Sequence, residues 1–231
     1  MENILTGVVL RKTPITDREN INPVFRAEVR STEGDLAAII KRLPEREIEV
    51  ECLCATLGRA MGLPIPKPMV LQDTELGIVF GSEEMPHPDL KRAKLSEYLL
   101  LTALVEWDHF HQAQMFDEWI ANPDRHGGNL LTNGIGDFWL IDHGLSLPQA
   151  FDPEQKQHNH LLDMAIAFAN DDLKKQRLIK KLSQTLSRHP QGLEAINNFD
   201  ESMLKFLTMR SPSLYALLRK TVLNHDEIPG F

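Results

Sequence analysis

Cysteine is scarce in this chain. Cys52 and Cys54 are the only two in 231 residues, which excludes a disulfide scaffold. Two apart on an expected helix, they point in different directions, so the reading is two free thiols in a reducing cytosol. Basic charge is short as well. Lys and Arg number 25 against 33 Asp and Glu, for a formal charge of −8. That balance argues against nucleic acid as a partner, because phosphate contacts need clustered Lys and Arg. No long apolar run is present. The stretch at residues 98–105 is too short to span a bilayer, and residues 1–13 contain no apolar signal region, so the expectation is a cytoplasmic protein that does not engage membrane. Glycine is missing from the segment T-P-I-T-D-R-E-N-I-N-P near the N-terminus, so that connection cannot form a glycine-rich phosphate-binding loop. Arg18, Asn20 and Asn22 are the residues there that could touch phosphates instead.

What is present is ordinary in bulk, with 42% hydrophobic and 25% charged residues. This is enough to bury a core as one domain of two lobes or as two small domains. The first third reads as a small sheet with one helix. Residues 4–11 form an expected strand. In residues 24–30, Phe25, Ala27 and Val29 share one face and Arg26, Glu28 and Arg30 the other. Glu33-Gly34 signals a turn, and residues 35–42 return with Ala37, Ile39 and Lys41 in phase. Pro44 followed by Glu45, Glu47 and Glu49 predicts a helix start. That helix should run to about Met61, with an apolar stripe of Val50, Leu53, Leu57, Ala60 and Met61. Short strands are expected at residues 69–71 and 77–80. The polar segment 81–88 is the best boundary in the chain. Beyond it the pattern predicts helices at 94–107, 109–120, 160–170, 173–188 and 203–223, with a loop at 122–129 and a hairpin of 130–132 with 138–141.

Five side chains carry the chemistry. Asp124, in N-P-D-R-H-G-G-N, precedes Asn129 by five residues, and Asp142 follows thirteen later in I-D-H-G. Transfer of a phosphoryl group from a nucleotide needs such a set. One carboxylate takes the proton of the attacking hydroxyl, while an Asn and a second carboxylate hold Mg²⁺. Gly127 and Gly128 let the chain turn closely there. Alone, the D-x-x-x-x-N spacing also fits an Asx turn. Lys41, on an apolar strand face, is costly to bury unless paired, though an edge lysine guarding against aggregation reads the same way. Glu51 stands on the next helix among solvated glutamates. Strand Lys followed by helix Glu is the arrangement that positions nucleotide phosphates in kinases. The nine histidines raise a metal-dependent hydrolase as a rival. His109 and His111 do not share a helix face, however, and His158 and His160 lie in a polar run, so both pairs read as surface histidines. His126 and His143 flank the two carboxylates.

W-I-A-N-P-D-R-H-G-G-N-L-L with L-I-D-H-G, preceded by I-I-K and E-C-L-C-A-T-L-G-R-A-M-G-L-P-I-P-K-P, resembles HipA-like kinases and, more distantly, phosphoinositide kinases. The resemblance implies an α+β, two-lobed protein-kinase-like fold. A small antiparallel-sheet N-lobe with one helix would occupy residues 1–82, and a larger, mostly helical C-lobe residues 83–231. It implies ATP and Mg as cofactors and a protein Ser/Thr as acceptor. Lys41 would bind the α/β-phosphates and Glu51 would pair with it. Asp124 would be the catalytic base, with Asn129 and Asp142 the metal ligands. Phe80 with Gly81 would lie at the hinge near adenine. A catalytically inactive nucleotide- or partner-binding relative, or a lipid or small-molecule kinase, is the alternative. An antitoxin-like partner stays open for a chain shorter than full-length HipA toxins. Ser146 is a candidate autophosphorylation site by position.

Overall fold

The alternating first third folds into five strands in the computed structural model, which describes residues 4–16, 22–93, 96–149, 152 and 155–224 and only the backbone of Glu97. They are β1 (Leu5–Pro14), β2 (Val24–Ser31), β3 (Gly34–Lys41), β4 (Pro68–Asp73) and β5 (Gly77–Glu83). The strands close into a barrel in the order β1-β2-β3-β5-β4. The expected antiparallel sheet is thereby corrected. β1 and β4 run parallel, with Leu5 opposite Met69 and Val8 opposite Gln72. An open sheet would leave both strands as unpaired edges, and closure removes those edges. The barrel interior holds Leu5, Ala27, Val29, Ala38, Ile40, Met69, Leu71 and Val79. Gly7 is needed where β1 crosses β2, because a Cβ there would strike the carbonyl of Arg30.

In β3, Ala38 and Ile40 face the barrel core while Ile39 and Lys41 face a cavity outside it. β5 runs through Glu83, beyond its expected end. Phe80 and Gly81 therefore lie inside a strand, with Phe80 opposite Lys41, and the connector starts after them. Thr132 and Leu90 tie that connector back to the body. The Thr132 N–H donates to the Pro88 carbonyl at 3.0 Å, and the Leu90 N–H to the Gly127 and Leu130 carbonyls.

α1 (Glu45–Ala60) begins at Pro44 with Glu45 and Glu47 in its first turn, where carboxylates favour the helix N-terminus. It is buried on nearly every side from Ile48 to Gly58, so the expected single stripe is too narrow. Ile48 and Cys52 pack on Phe80 of the barrel, while Val50, Leu53 and Leu57 join the core of the helical part. That core runs continuously through α2 (Glu97–Glu106), α3 (Phe110–Trp119), α4 (His160–Phe168), α5 (Asp172–Thr185), α6 (His189–Ala195), α7 (Glu201–Arg210) and α8 (Leu214–Leu223). The helix expected at 203–223 is two helices broken at Ser211-Pro212-Ser213. Pro212 lacks the N–H a continuous helix would need. The helix expected at 173–188 ends as a 3₁₀ turn, Leu186–Arg188, ahead of α6. β6 (Leu130–Thr132) and β7 (Phe138–Leu140) form the expected hairpin, and a 3₁₀ turn at Gly127–Asn129 precedes it.

Candidate active site

Two cavities meet beneath the barrel, of about 700 Å³ and 600 Å³. Lys41, Arg92, Ile141 and Asp142 line both. The larger extends under Phe80 and Ile65, and the smaller reaches Asp124 and Asn129. Lys41, Asp124, Asn129 and Asp142, separated by up to 101 positions, therefore share the wall of one cavity. Asn22 lines it too, whereas Arg18 and Asn20 lie outside the described residues.

Lys41 Nζ stands 2.8 Å from Asp142 Oδ2. That is a different partner from the expected Glu51. The Glu51 carboxylate turns instead to the loop after β7, where Oε2 accepts the His143 backbone N–H at 2.9 Å and lies 3.6 Å from His143 Nδ1. Glu51 and His143 are both buried, and Glu51 Oε1 and His143 Nε2 have no hydrogen-bond partner. Burial pushes the Glu51 carboxyl up. The His143 hydrogen bond and the charges of Lys41 and His143 outweigh burial and hold it down at about 2. The imidazole packs edge-on against Phe116, with ring centroids 5.8 Å apart. Asp142 itself has φ of 63°, a left-handed conformation that Asp tolerates better than most residues. This backbone turns its carboxylate out of the strand line, and the side chain is 42% exposed.

The loop carrying Asp124 is built around a residue the sequence reading passed over. Arg125 is buried and forms a fork on Asp117 of α3, with Nε to Oδ2 at 2.9 Å and Nη2 to Oδ1 at 3.0 Å. Its Nη1 donates to the carbonyls of Asn129 at 2.8 Å and Ile141 at 2.7 Å. One guanidinium thus ties the Asp124 loop to the strand end that presents Asp142. Asn122 adds a bond to Asp117 at 3.0 Å and accepts the Asp124 backbone N–H at 3.0 Å. Asn129 Nδ2 donates to the Asp124 carbonyl at 2.8 Å, which leaves its amide oxygen for another partner. Asn129 and Asp142 therefore offer one amide and one carboxylate oxygen on the same wall, the kind of sparse oxygen donor set that suits Mg²⁺.

A HipA-like kinase family pattern matches residues 37–199, a span that contains all of these side chains. The chain belongs to the HipA-like kinase family. The Helicobacter pylori proinflammatory kinase CtkA is similar in structure, with a TM-score of 0.60 and 13% identity over 96% of this chain and 99% of that one. At that identity the likeness concerns the fold. HipA of Shewanella oneidensis MR-1, solved with HipB and operator DNA, gives a TM-score of 0.49 and 14% identity over 95% of this chain and 68% of that one. No curated protein sequence matches the chain.

Within this HipA-like kinase, Phe80 lines the larger cavity from mid-strand. Among the described residues no group of three or more His, Cys, Asp or Glu side chains is arranged to hold a metal ion. Cys52 and Cys54 are free and buried. Burial raises both thiols, that of Cys52 to about 12. Ser146 is also buried, which removes it as an accessible phosphorylation site in this conformation. No helix among the described residues is long and apolar enough to cross a membrane.

Proposed function

We propose that the protein is an ATP- and Mg-dependent kinase acting on a protein Ser or Thr, built as two kinase-like lobes over residues 1–82 and 83–231. The observation that carries this reading is the meeting of Lys41, Asp124, Asn129 and Asp142 on one cavity. Beside it opens a larger cavity with room for a purine under Phe80. Lys41 is placed to leave Asp142 and neutralise the α/β-phosphates. Asn129 and Asp142 would hold Mg²⁺, which supplies charge neutralisation for the phosphates. Asp124, half exposed on the smaller cavity, accepts the proton of the acceptor hydroxyl. The hydroxyl oxygen bonds to the γ-phosphorus, the bond from that phosphorus to the β-phosphate oxygen breaks, and ADP leaves. Glu51 acts through the His143 backbone, fixing the turn that presents Asp142. Arg125 keeps the two carboxylate-bearing segments in register. A cytoplasmic location and an antitoxin-like protein partner belong to the same proposal and rest on the family alone.

The test is turnover of ATP with Mg²⁺. Asp124→Ala should lower it by about 10³-fold with the melting temperature unchanged, because the side chain is not part of the core. Unchanged turnover would remove the assignment. The segment between β1 and β2, which has no glycine, favours a second reading, an inactive nucleotide-binding relative. That reading expects a thermal shift with ATP and no turnover in the wild type.

A further inference from the structure

The connector after β5 is laid directly against the Asp124 loop, and it carries two cations there. The Asp89 backbone bridges to Leu131 of β6. The Leu90 N–H donates to the Gly127 and Leu130 carbonyls, each at 3.0 Å. The Lys91 side chain runs over the loop glycines. A Cβ on Gly127 would lie 3.7 Å from its Cγ, and one on Gly128 3.8 Å from its Cδ. Arg92 comes next. Its backbone N–H donates to Asp89 Oδ1 at 3.2 Å, and its Nε lies 3.6 Å from Asp89 Oδ2. Asp89 is buried, so the guanidinium is held from a fixed point. Lys91 lines the smaller cavity, and Arg92 lines both. Among the described residues, Arg92 and Lys41 are the two cations common to both cavities, one from the connector and one from the barrel. An Arg three residues after an Asp is often no more than a local surface pair of little worth. Such a pair needs neither a buried partner nor a place where two cavities join.

We infer that Arg92 grips the γ-phosphoryl group as it crosses from the larger cavity to the smaller. This rests on the kinase reading above, which puts the base under Phe80 and the acceptor hydroxyl at Asp124. The group in transfer must pass the place where the two cavities join, and the side chains shared there are Lys41, Arg92, Ile141 and Asp142. Lys41 serves the α/β-phosphates, Asp142 the metal, and Ile141 is apolar. Arg92 is the donor that remains for the γ-phosphoryl oxygens, over which charge spreads in the transition state. Its planar fork matches two phosphate oxygens at once. The need for such a side chain follows from the segment between β1 and β2. Without glycine it offers no closely fitting backbone loop to the phosphates, so a guanidinium from the opposite side of the cleft does that work. Asp89 is the positioning residue that aims it. ADP has no γ-phosphate, so Arg92 tells ATP from ADP, whereas Lys41 meets both nucleotides alike.

The experiment measures the affinities of ATP and ADP, each with Mg²⁺, by titration calorimetry on the wild type, Arg92→Gln, Arg92→Lys and Lys41→Ala. The wild type should hold ATP over ADP by about tenfold, the size of one charge-assisted contact. Arg92→Gln should lose that gap while keeping its affinity for ADP, and its ATP turnover should fall by about 10²-fold or more. Arg92→Lys keeps the charge without the fork and should keep only part of the gap. Lys41→Ala should weaken both nucleotides alike. Circular dichroism and melting without nucleotide show which variants are folded, and Arg92→Lys carries the test if Arg92→Gln is not. An undiminished gap in the folded Arg92 variant, or equal weakening of ATP and ADP by it, overturns the inference. A wild type that holds both nucleotides equally overturns it too. A gap that the variant loses, in a protein that turns over no ATP, supports the grip on the γ-phosphate and counts against the kinase reading.

Discussion

The two sides of the cleft hold their charges in different ways. On the barrel side Lys41 is a single cation on the last residue of β3, 14% exposed, with one half-exposed partner across the gap. On the helical side Arg125 is 1% exposed, and its guanidinium is shared among Asp117 and two backbone carbonyls. The first arrangement can be exchanged for another anion at little cost. The second cannot, because each of its bonds replaces water that has been excluded. α1 shows the same division in one element. It lies between two barrel strands in sequence, yet most of its apolar surface belongs to the helical core, and it directs Glu51 to His143 rather than to Lys41. Lys41 is therefore the exchangeable element of the site, and the opposite wall, with Glu51, His143 and Arg125, is its fixed frame.

Breaking the frame should have the largest effect. Arg125→Met leaves Asp117 buried without its cation and frees the Asn129 and Ile141 carbonyls. The expected loss is about 3–5 kcal/mol of stability, measured as a fall in the urea midpoint at an unchanged slope. A loss below about 1 kcal/mol would mean that the loop is held by something other than this guanidinium.

Glu51 comes next, through pH. Its folded-state carboxyl sits at about 2, below the ordinary value near 4.3 of an unfolded glutamate. The group therefore contributes stability that is fully present above about pH 4.5, and that contribution is lost as pH falls toward 2. Glu51→Gln keeps an oxygen for the His143 N–H but removes the proton-linked part. The variant should be less stable than the wild type at pH 7, by a few kcal/mol at most, and the two stability curves should converge between pH 4.5 and 2. Parallel curves across that window would mean that the buried carboxylate is not what senses pH.

How much of this contrast could be read from the sequence follows from the range of the interactions. The alternation in residues 24–30 and 35–42 is local, and it placed Lys41 on the correct face of β3. The order of Asp124, Asn129 and Asp142 is also local, and the three side chains line one cavity. Barrel closure was not legible, because the parallel pairing of β1 with β4 joins Leu5 to Met69, and nothing in either segment alone announces it. Arg125 was missed because, inside a polar run, it looks like any solvated loop arginine. Its partner Asp117 is the signal that could have found it, an acidic residue in a helix stretch of Ala, Met, Phe and Trp. Glu51 was assigned Lys41 as its partner from their order on strand and helix, and nothing local shows that a backbone N–H 92 residues further on, that of His143, takes the carboxylate instead. The break at Pro212 was legible from S-P-S and should have divided the last helix.

Lys41 should give the smallest change in stability and a decisive change in binding. Its pair with Asp142 is partly open to solvent and screened, so Lys41→Ala should cost about 1 kcal/mol or less. An uncompensated Asp142 can be hydrated through its exposed side. The same variant should show a much smaller thermal shift than the wild type on adding ATP with Mg²⁺, since a ligand stabilises only in proportion to its binding. Two melts per protein, with and without nucleotide, measure both quantities together. If the variant is strongly destabilised, Lys41 belongs to the frame after all, and the division between the two sides of the cleft fails. If its stability and its ATP shift both match the wild type, the barrel side does not hold the phosphates, and the nucleotide must be bound by the helical wall alone.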